Sequence, residues 1–255
     1  MLIPRVIATV SIAVLLAACS MASPQTAPSA STPPLRVCVT DSEPPVANND
    51  EAEPGVEVEY GRAVATKLGR AYEPVWIPTL NDLIPSLRSG KCEVIISGLF
   101  VTDERSKLVT FSNPTWGSRS ETVMRRGESA TFAELTNKCV ATLKGSVSVD
   151  YLRSQGITPR TYGTNEEALA AVASKECDAA YLDSPTIGWK LKSPQFADLA
   201  VVPALTNPTT NYVGMAVDQG QTELLAQLND AAAQIRSSGE LEKFLEKYGV
   251  PAYLP

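Results

Sequence analysis

Arg105 follows an apolar run and a small-residue break, in the stretch I-I-S-G-L-F-V-T-D-E-R from Ile95 to Arg105. Val94, Ile95 and Ile96 read as a buried strand, and Ser97-Gly98 frees the backbone at its carboxyl end. Open α/β sheets bind ligands at that end of their strands. An arginine there offers a rigid planar fork that matches a carboxylate. A strand, a loop and an arginine also fit an ordinary surface ion pair, so the elements around them matter.

The chain has 255 residues and no histidine, which removes the commonest general base and metal ligand. Its formal charge is −6, and no basic patch argues for nucleic acid. No metal, cofactor or catalytic residue is expected.

Residues 1–18 read as an export signal: Arg5, then an apolar run from Val6 to Leu16, then small residues. Leu16-Ala17-Ala18-Cys19 resembles the bacterial lipobox, in which the signal is cut before the cysteine and the thiol is lipidated. Two or more acyl chains hold a protein at a membrane surface. This implies an exported protein anchored by Cys19 to the outer face of the cell membrane, or held in the periplasm. Residues 19–34 carry the lipidated Cys and a Ser/Pro/Ala/Thr tether. No later apolar run is long enough for a transmembrane helix.

The other four cysteines are Cys38, Cys92, Cys139 and Cys177. An even number outside the cytoplasm suggests disulfides, with three connectivities open. Cys38 and Cys92 fall on strands of the first half, and Cys139 and Cys177 on strands of the second. One bridge within each half is therefore favoured over four buried free thiols.

From Leu35 onward the sequence predicts two βαβαβ units. The first has strands at Leu35–Val39, Tyr72–Ile77 and Glu93–Ser97. Its helices run from Val58 to Leu68 and after Asn81, which can cap the second. The second unit has strands at Cys139–Leu143, Thr158–Tyr162 and Cys177–Leu182. Gly145-Ser146, Thr164 and Ser184-Pro185 open its helices. Such units imply parallel pairing with helices on the faces. Phe111–Trp116 and Pro208–Tyr212 read as connectors between the halves, and helices at about Thr222–Ser237 and Gly239–Tyr248 return to the first. The fold class is α/β, with two lobes, two hinge crossings and a cleft. Lobe 1 takes residues 35–114 plus 212–255, and lobe 2 takes 115–211.

Several segments, in order, are similar to the extracellular solute-binding proteins of family 3, the receptors of polar amino-acid ABC importers. They are Gly55–Ala65, Leu83–Lys91, Ser97-Gly98 through Arg105, Phe111–Pro114, Lys144-Gly145-Ser146, Asp178–Asp183 and Gly239–Gly249. The resemblance implies a periplasmic-binding-protein fold of type II and a monomer. It also implies an amino-acid or amino-acid-like solute and an ABC permease as partners. Arg105 would pair with the ligand carboxylate, helped by backbone near Gly98 and Phe100, by Ser97, and by Gly145 and Ser146 from the other lobe. Asp183 would take the ammonium, and Asp41 would approach the ammonium or the side chain.

The pattern departs from the family at the side-chain pocket. Glu43 stands where an aromatic wall is usual, and Phe100 where a small hydroxyl residue is. Leu80 would form the opposite wall. Asp41 and Glu43 together would favour a cationic or amide side chain over an acidic one. Two alternatives remain open. Some relatives are periplasmic dehydratases of cyclohexadienyl substrates, in which an acidic residue could act. The chain could also be a solute sensor that works through a partner.

Overall fold

A computed structural model describes residues 32–41, 45–251 and 253–255. The export signal, Cys19 and Glu43 lie outside the described residues.

β1 (Leu35–Thr40) starts the first sheet, and α1 (Val56–Lys67) leads to β2 (Tyr72–Ile77). A single 3-10 turn at Leu80–Asp82 precedes α2 (Leu83–Arg88), and β3 (Val94–Ile95) follows. β1 pairs in parallel with β2 on one side and β3 on the other, as the βαβαβ reading requires. Three details differ from the sequence expectation. The first helix begins two residues earlier, at Val56. The third strand shrinks from Glu93–Ser97 to two residues. Asn81 does not cap the second helix: it lies inside the 3-10 turn, where the Thr79 hydroxyl donates to Asp82 Oδ2 at 2.7 Å.

After α3 (Asp103–Ser106) and β4 (Thr110–Phe111), the chain leaves through β5 (Gly117–Ser118) and builds a second sheet. Its elements are β6 (Ser120–Arg125), α4 (Phe132–Leu135), β7 (Val140–Leu143), α5 (Val147–Ser154), β8 (Arg160–Tyr162), α6 (Asn165–Ala173), β9 (Ala179–Asp183), α7 (Ser184–Lys190) and β10 (Leu199–Val201). β7 pairs in parallel with β8 and β9, as expected. β6 and β10 were not expected. β6 runs antiparallel to β9 and carries β10 on its outer edge, giving the order β10-β6-β9-β7-β8.

The chain returns through β11 (Asn211–Tyr212), which pairs antiparallel with β5. These two crossings are the expected hinge. β12 (Ala216–Val217) then enters the first sheet between β3 and β4, antiparallel to both. α8 (Thr222–Ser237) and α9 (Glu240–Lys247) close that lobe. Leu228, Ala231 and Ile235 of α8, with Leu241 and Leu245 of α9, pack against Val56, Tyr60 and Val64 of α1 in one core cluster. Their i, i+3, i+7 spacing in α8 is the amphipathic pattern that buries one helix face. Lys247 and the Tyr248 hydroxyl reach Glu59 on α1, and Lys67 pairs with Glu240.

Both favoured disulfides form, Cys38–Cys92 and Cys139–Cys177, with Cα atoms 5.5 and 4.6 Å apart. Cys38 alone sits inside a strand; Cys92, Cys139 and Cys177 stand just before theirs. The first bridge therefore joins the interior of β1 to the approach to β3, and the second joins the approaches to β7 and β9.

Candidate functional site

The carboxyl ends of six parallel strands meet at one cavity of about 90 Å³. From the first lobe come Thr40-Asp41 after β1, Pro78–Leu80 after β2, and Ser97-Gly98 after β3. From the second come Ser146 after β7, Gly163–Asn165 after β8, and Asp183 at the end of β9. This is the strand-end placement of ligand sites in open α/β sheets, used twice and face to face.

Arg105 lies in α3, whose first turn is held by the Thr102 hydroxyl accepting the Arg105 backbone N–H. Its guanidinium is no surface ion pair. Nη1 donates to the Phe100 carbonyl at 2.8 Å, and Nη2 donates to the Gly145 carbonyl at 3.2 Å. Burial lowers its pKa to about 10, while the negative charge of Asp183 pushes back up. Arg105 remains a cation at neutral pH.

Asp183 is half-buried, where β9 ends and α7 begins. Its side chain does not cap α7; Oδ1 accepts a hydrogen bond from the Ser120 hydroxyl at 3.1 Å. Burial raises its pKa to about 6, against the lowering effects of the Ser120 hydrogen bond and of Arg105. The cavity thus sets a desolvated carboxylate opposite a desolvated guanidinium, one from each lobe.

The remaining expected residues divide by what they already touch. The Ser97 hydroxyl is within 2.9 Å of both the N–H and the hydroxyl of Thr40, fastening β3's exit to β1. Gly98 donates its N–H to Glu57 Oε2 at 2.9 Å. That N–H, expected near the ligand carboxylate, is thus engaged within the protein. Phe100 is buried and lines the cavity. It forms an antiparallel bridge with Val213, where Val101 N–H bonds the Tyr212 carbonyl and Gly214 N–H bonds the Leu99 carbonyl. By strand alternation the N–H and carbonyl of Phe100 point away from Val213, and the carbonyl accepts from Arg105. Leu80 lines the cavity and packs on the Cys38–Cys92 cluster. Asp41 is exposed at the cavity rim, with Oδ1 accepting the Asn49 N–H at 3.1 Å.

Ser146 takes the N-cap position of α5, but its hydroxyl donates back to the Leu143 carbonyl at 2.8 Å instead of capping. Gly145 is not on the cavity wall. It sits beside it, lining a groove shared with Leu80, Asn81 and Arg105, and adopts φ +79°. A Cβ built there would collide with the Asn81 side chain.

Sequence reasoning missed several wall residues. In the sequence Trp116 reads only as connector, and Ser118 lies in the hinge strand that follows it. Thr164 was read only as a cap. It does cap α6, in a reciprocal box with Glu167, and it also faces the cavity. The signal that could have found Gly163–Asn165 is their position directly after a parallel strand. Among the described residues, no group of three or more His, Cys, Asp or Glu is placed to hold a metal ion.

The sequence profile of the bacterial extracellular solute-binding proteins, family 3, matches residues 35–251. The chain belongs to this family. Among its relatives is the L-arginine-binding protein of Pseudomonas aeruginosa, 28% identical over 229 residues, spanning 84% of this chain and 87% of that one. The lysine/arginine/ornithine-binding periplasmic protein of Escherichia coli is 27% identical over 206 residues, spanning 76% and 78%. Among solved structures, an ancestral arginine-binding protein bound to arginine superposes with a TM-score of 0.78 at 27% identity, covering 86% of this chain and 99% of that one. An ancestral amino acid-binding protein, a precursor of cyclohexadienyl dehydratase, gives a TM-score of 0.75 at 28% identity, covering 84% and 94%. As a family 3 solute-binding protein, this chain has the two-lobed periplasmic-binding fold, with its cleft between the two sheets.

Proposed function

We propose that this family 3 solute-binding protein closes its lobes, residues 35–114 plus 212–255 and residues 115–211, on a free amino acid with a cationic side chain, and presents it to an ABC permease. The observation that carries this reading is the placement of Arg105 and Asp183, one from each lobe, on the wall of one cavity. An α-carboxylate placed at Arg105 and the Phe100 N–H, with an α-ammonium at Asp183, satisfies both charges at once. Neither lobe alone offers both partners, so the ligand stabilises the closed form over the open one.

The charges on the cavity wall favour a cation for the side chain. Arg105 is opposed by both Asp183 and Asp41. A zwitterion neutralises Arg105 and Asp183 and leaves Asp41 to face the rest of the ligand. The arginine-binding relatives support the same class. Calorimetry with arginine, lysine, glutamine, glutamate and aspartate tests it. Tighter binding of either acidic amino acid would overturn it.

We further propose that the chain binds without catalysis. Likeness to a precursor of a dehydratase makes prephenate and arogenate the substrates to try. Release of the dehydrated product from either would overturn this part. Cys19 as a lipid anchor completes the reading, and a Cys19→Ala variant should leave the membrane fraction.

A further inference from the structure

Glu57 is a buried carboxylate to which the proposed mechanism gives no part, 4% exposed in the first turn of α1. Among the described residues no ion pair reaches it. Two N–H donors hold it instead: the Trp116 indole Nε1 at 2.6 Å on Oε1, and the Gly98 backbone at 2.9 Å on Oε2. Burial pushes the carboxyl up, and these two donors pull it back down. An unpaired buried carboxylate is costly, and an apolar residue in its place would leave both N–H donors without an acceptor.

Its partners are what distinguish it. Gly98 follows β3 on the cavity wall, at φ +64° and close enough to Val46 that a Cβ there would stand 2.9 Å from Val46 Cγ1. Trp116 is also on the cavity wall, and it directly precedes hinge strand β5. Its carbonyl accepts the Val213 N–H of the return crossing at 2.8 Å. The two oxygens of one side chain therefore tie the ligand loop to the hinge.

We propose that Glu57 is a positioning residue for ligand binding, whose carboxylate locks the Ser97-Gly98 loop to the Trp116 indole so that cavity wall and hinge move as one body. This rests on the amino-acid-binding reading for its functional consequence, but not for its geometry. The carboxylate matters because it offers two acceptors. A glutamine there offers one acceptor and one NH₂, which must face an N–H donor.

The test compares wild type, E57Q, W116F and the double variant E57Q/W116F. Hydrogen exchange of the Gly98 amide, measured without ligand, should quicken in E57Q and recover in the double variant. There the glutamine carbonyl accepts the Gly98 N–H, and no indole opposes its NH₂. Affinity for L-arginine, used as the probe, should fall about tenfold or more in E57Q and partly return in E57Q/W116F. Unchanged Gly98 exchange in E57Q would overturn the proposal whatever the chain binds. So would affinity losses that simply multiply in the double variant. Should E57Q not fold, W116F alone decides: a Kd and a Gly98 exchange rate both equal to wild type would sink the link. Coupled exchange with no amino acid bound by wild type would leave the link standing and refute the binding reading instead.

Discussion

Arg105 of the first lobe donates from Nη2 to the Gly145 carbonyl of the second at 3.2 Å. The residue proposed to hold the ligand also touches the opposite lobe's backbone, so in that reading ligand capture and lobe closure share one guanidinium.

Removing that guanidinium should abolish capture. Truncating one partner of a buried charge pair costs about 2–5 kcal/mol. R105A should raise the Kd for any α-amino acid by about 30-fold or more. Calorimetry measures this, and a melting temperature near that of wild type would show that the fold survives.

Gly145 should resist substitution for two reasons. Its φ of +79° is left-handed, which costs other residues about 1–2 kcal/mol, and a Cβ added there would meet the Asn81 side chain. G145A should weaken ligand binding and shift the solution scattering profile toward an open form. The second variant N81A/G145A should recover part of the closure, because only the collision is relieved. Equal scattering for G145A and wild type with saturating ligand would contradict this.

Asp183 sets a pH dependence with opposite signs in the free and bound protein. Its folded pKa, about 6, is raised above the ordinary 3.8 by burial. In the free protein this group's stability contribution is fully present below pH 3.8 and is lost as pH rises through about 6. Binding runs the other way, since only the ionised carboxylate attracts an ammonium. Affinity should therefore fall as pH drops below about 6, and binding near that pH should release protons. Calorimetry in buffers of different ionisation enthalpy counts those protons. D183N should bind poorly at every pH, melt higher than wild type at pH 7 and show no proton release.

The two disulfides close loops with sequence separations of 54 and 38. Chain entropy assigns each about 4 kcal/mol, slightly more for the longer. C38S/C92S and C139S/C177S should each lower the denaturation midpoint. Urea titrations under oxidising conditions give the size of each loss.

The βαβαβ halves, the hinge crossings and the disulfide pairs are legible in the sequence because each follows from an apolar run, a break or a cap. β6 is not. Its buried positions include Ser120 and Thr122, each 1% exposed. Ser120 serves Asp183, and Thr122 donates to the Leu205 carbonyl at 3.2 Å. A strand that buries Ser120 and Thr122 beside Val123 and Met124 shows no clean hydrophobic alternation. β12 escapes for a different reason: two residues are too few to show alternation, although they fill a central place in the sheet. Of the residues on the cavity wall, Arg105 was legible from its place beyond a strand and a Ser-Gly break, and Asp183 from the family resemblance. Glu57 was not, because a glutamate in a helix's first turn ordinarily serves the helix dipole in solvent. Only the fold, which buries it and brings the Trp116 indole N–H to it, reveals this.

The position of β12 between β3 and β4 bears on how the chain assembles. The second sheet draws all its strands from one unbroken stretch, Ser120 to Val201. The first lacks an interior strand until Ala216 arrives. As the polypeptide emerges, the second lobe can finish while the first still holds an open seam. The later-made half of the cleft is thus the earlier one to be complete, and the lobe bearing Arg105 is sealed only when the chain returns.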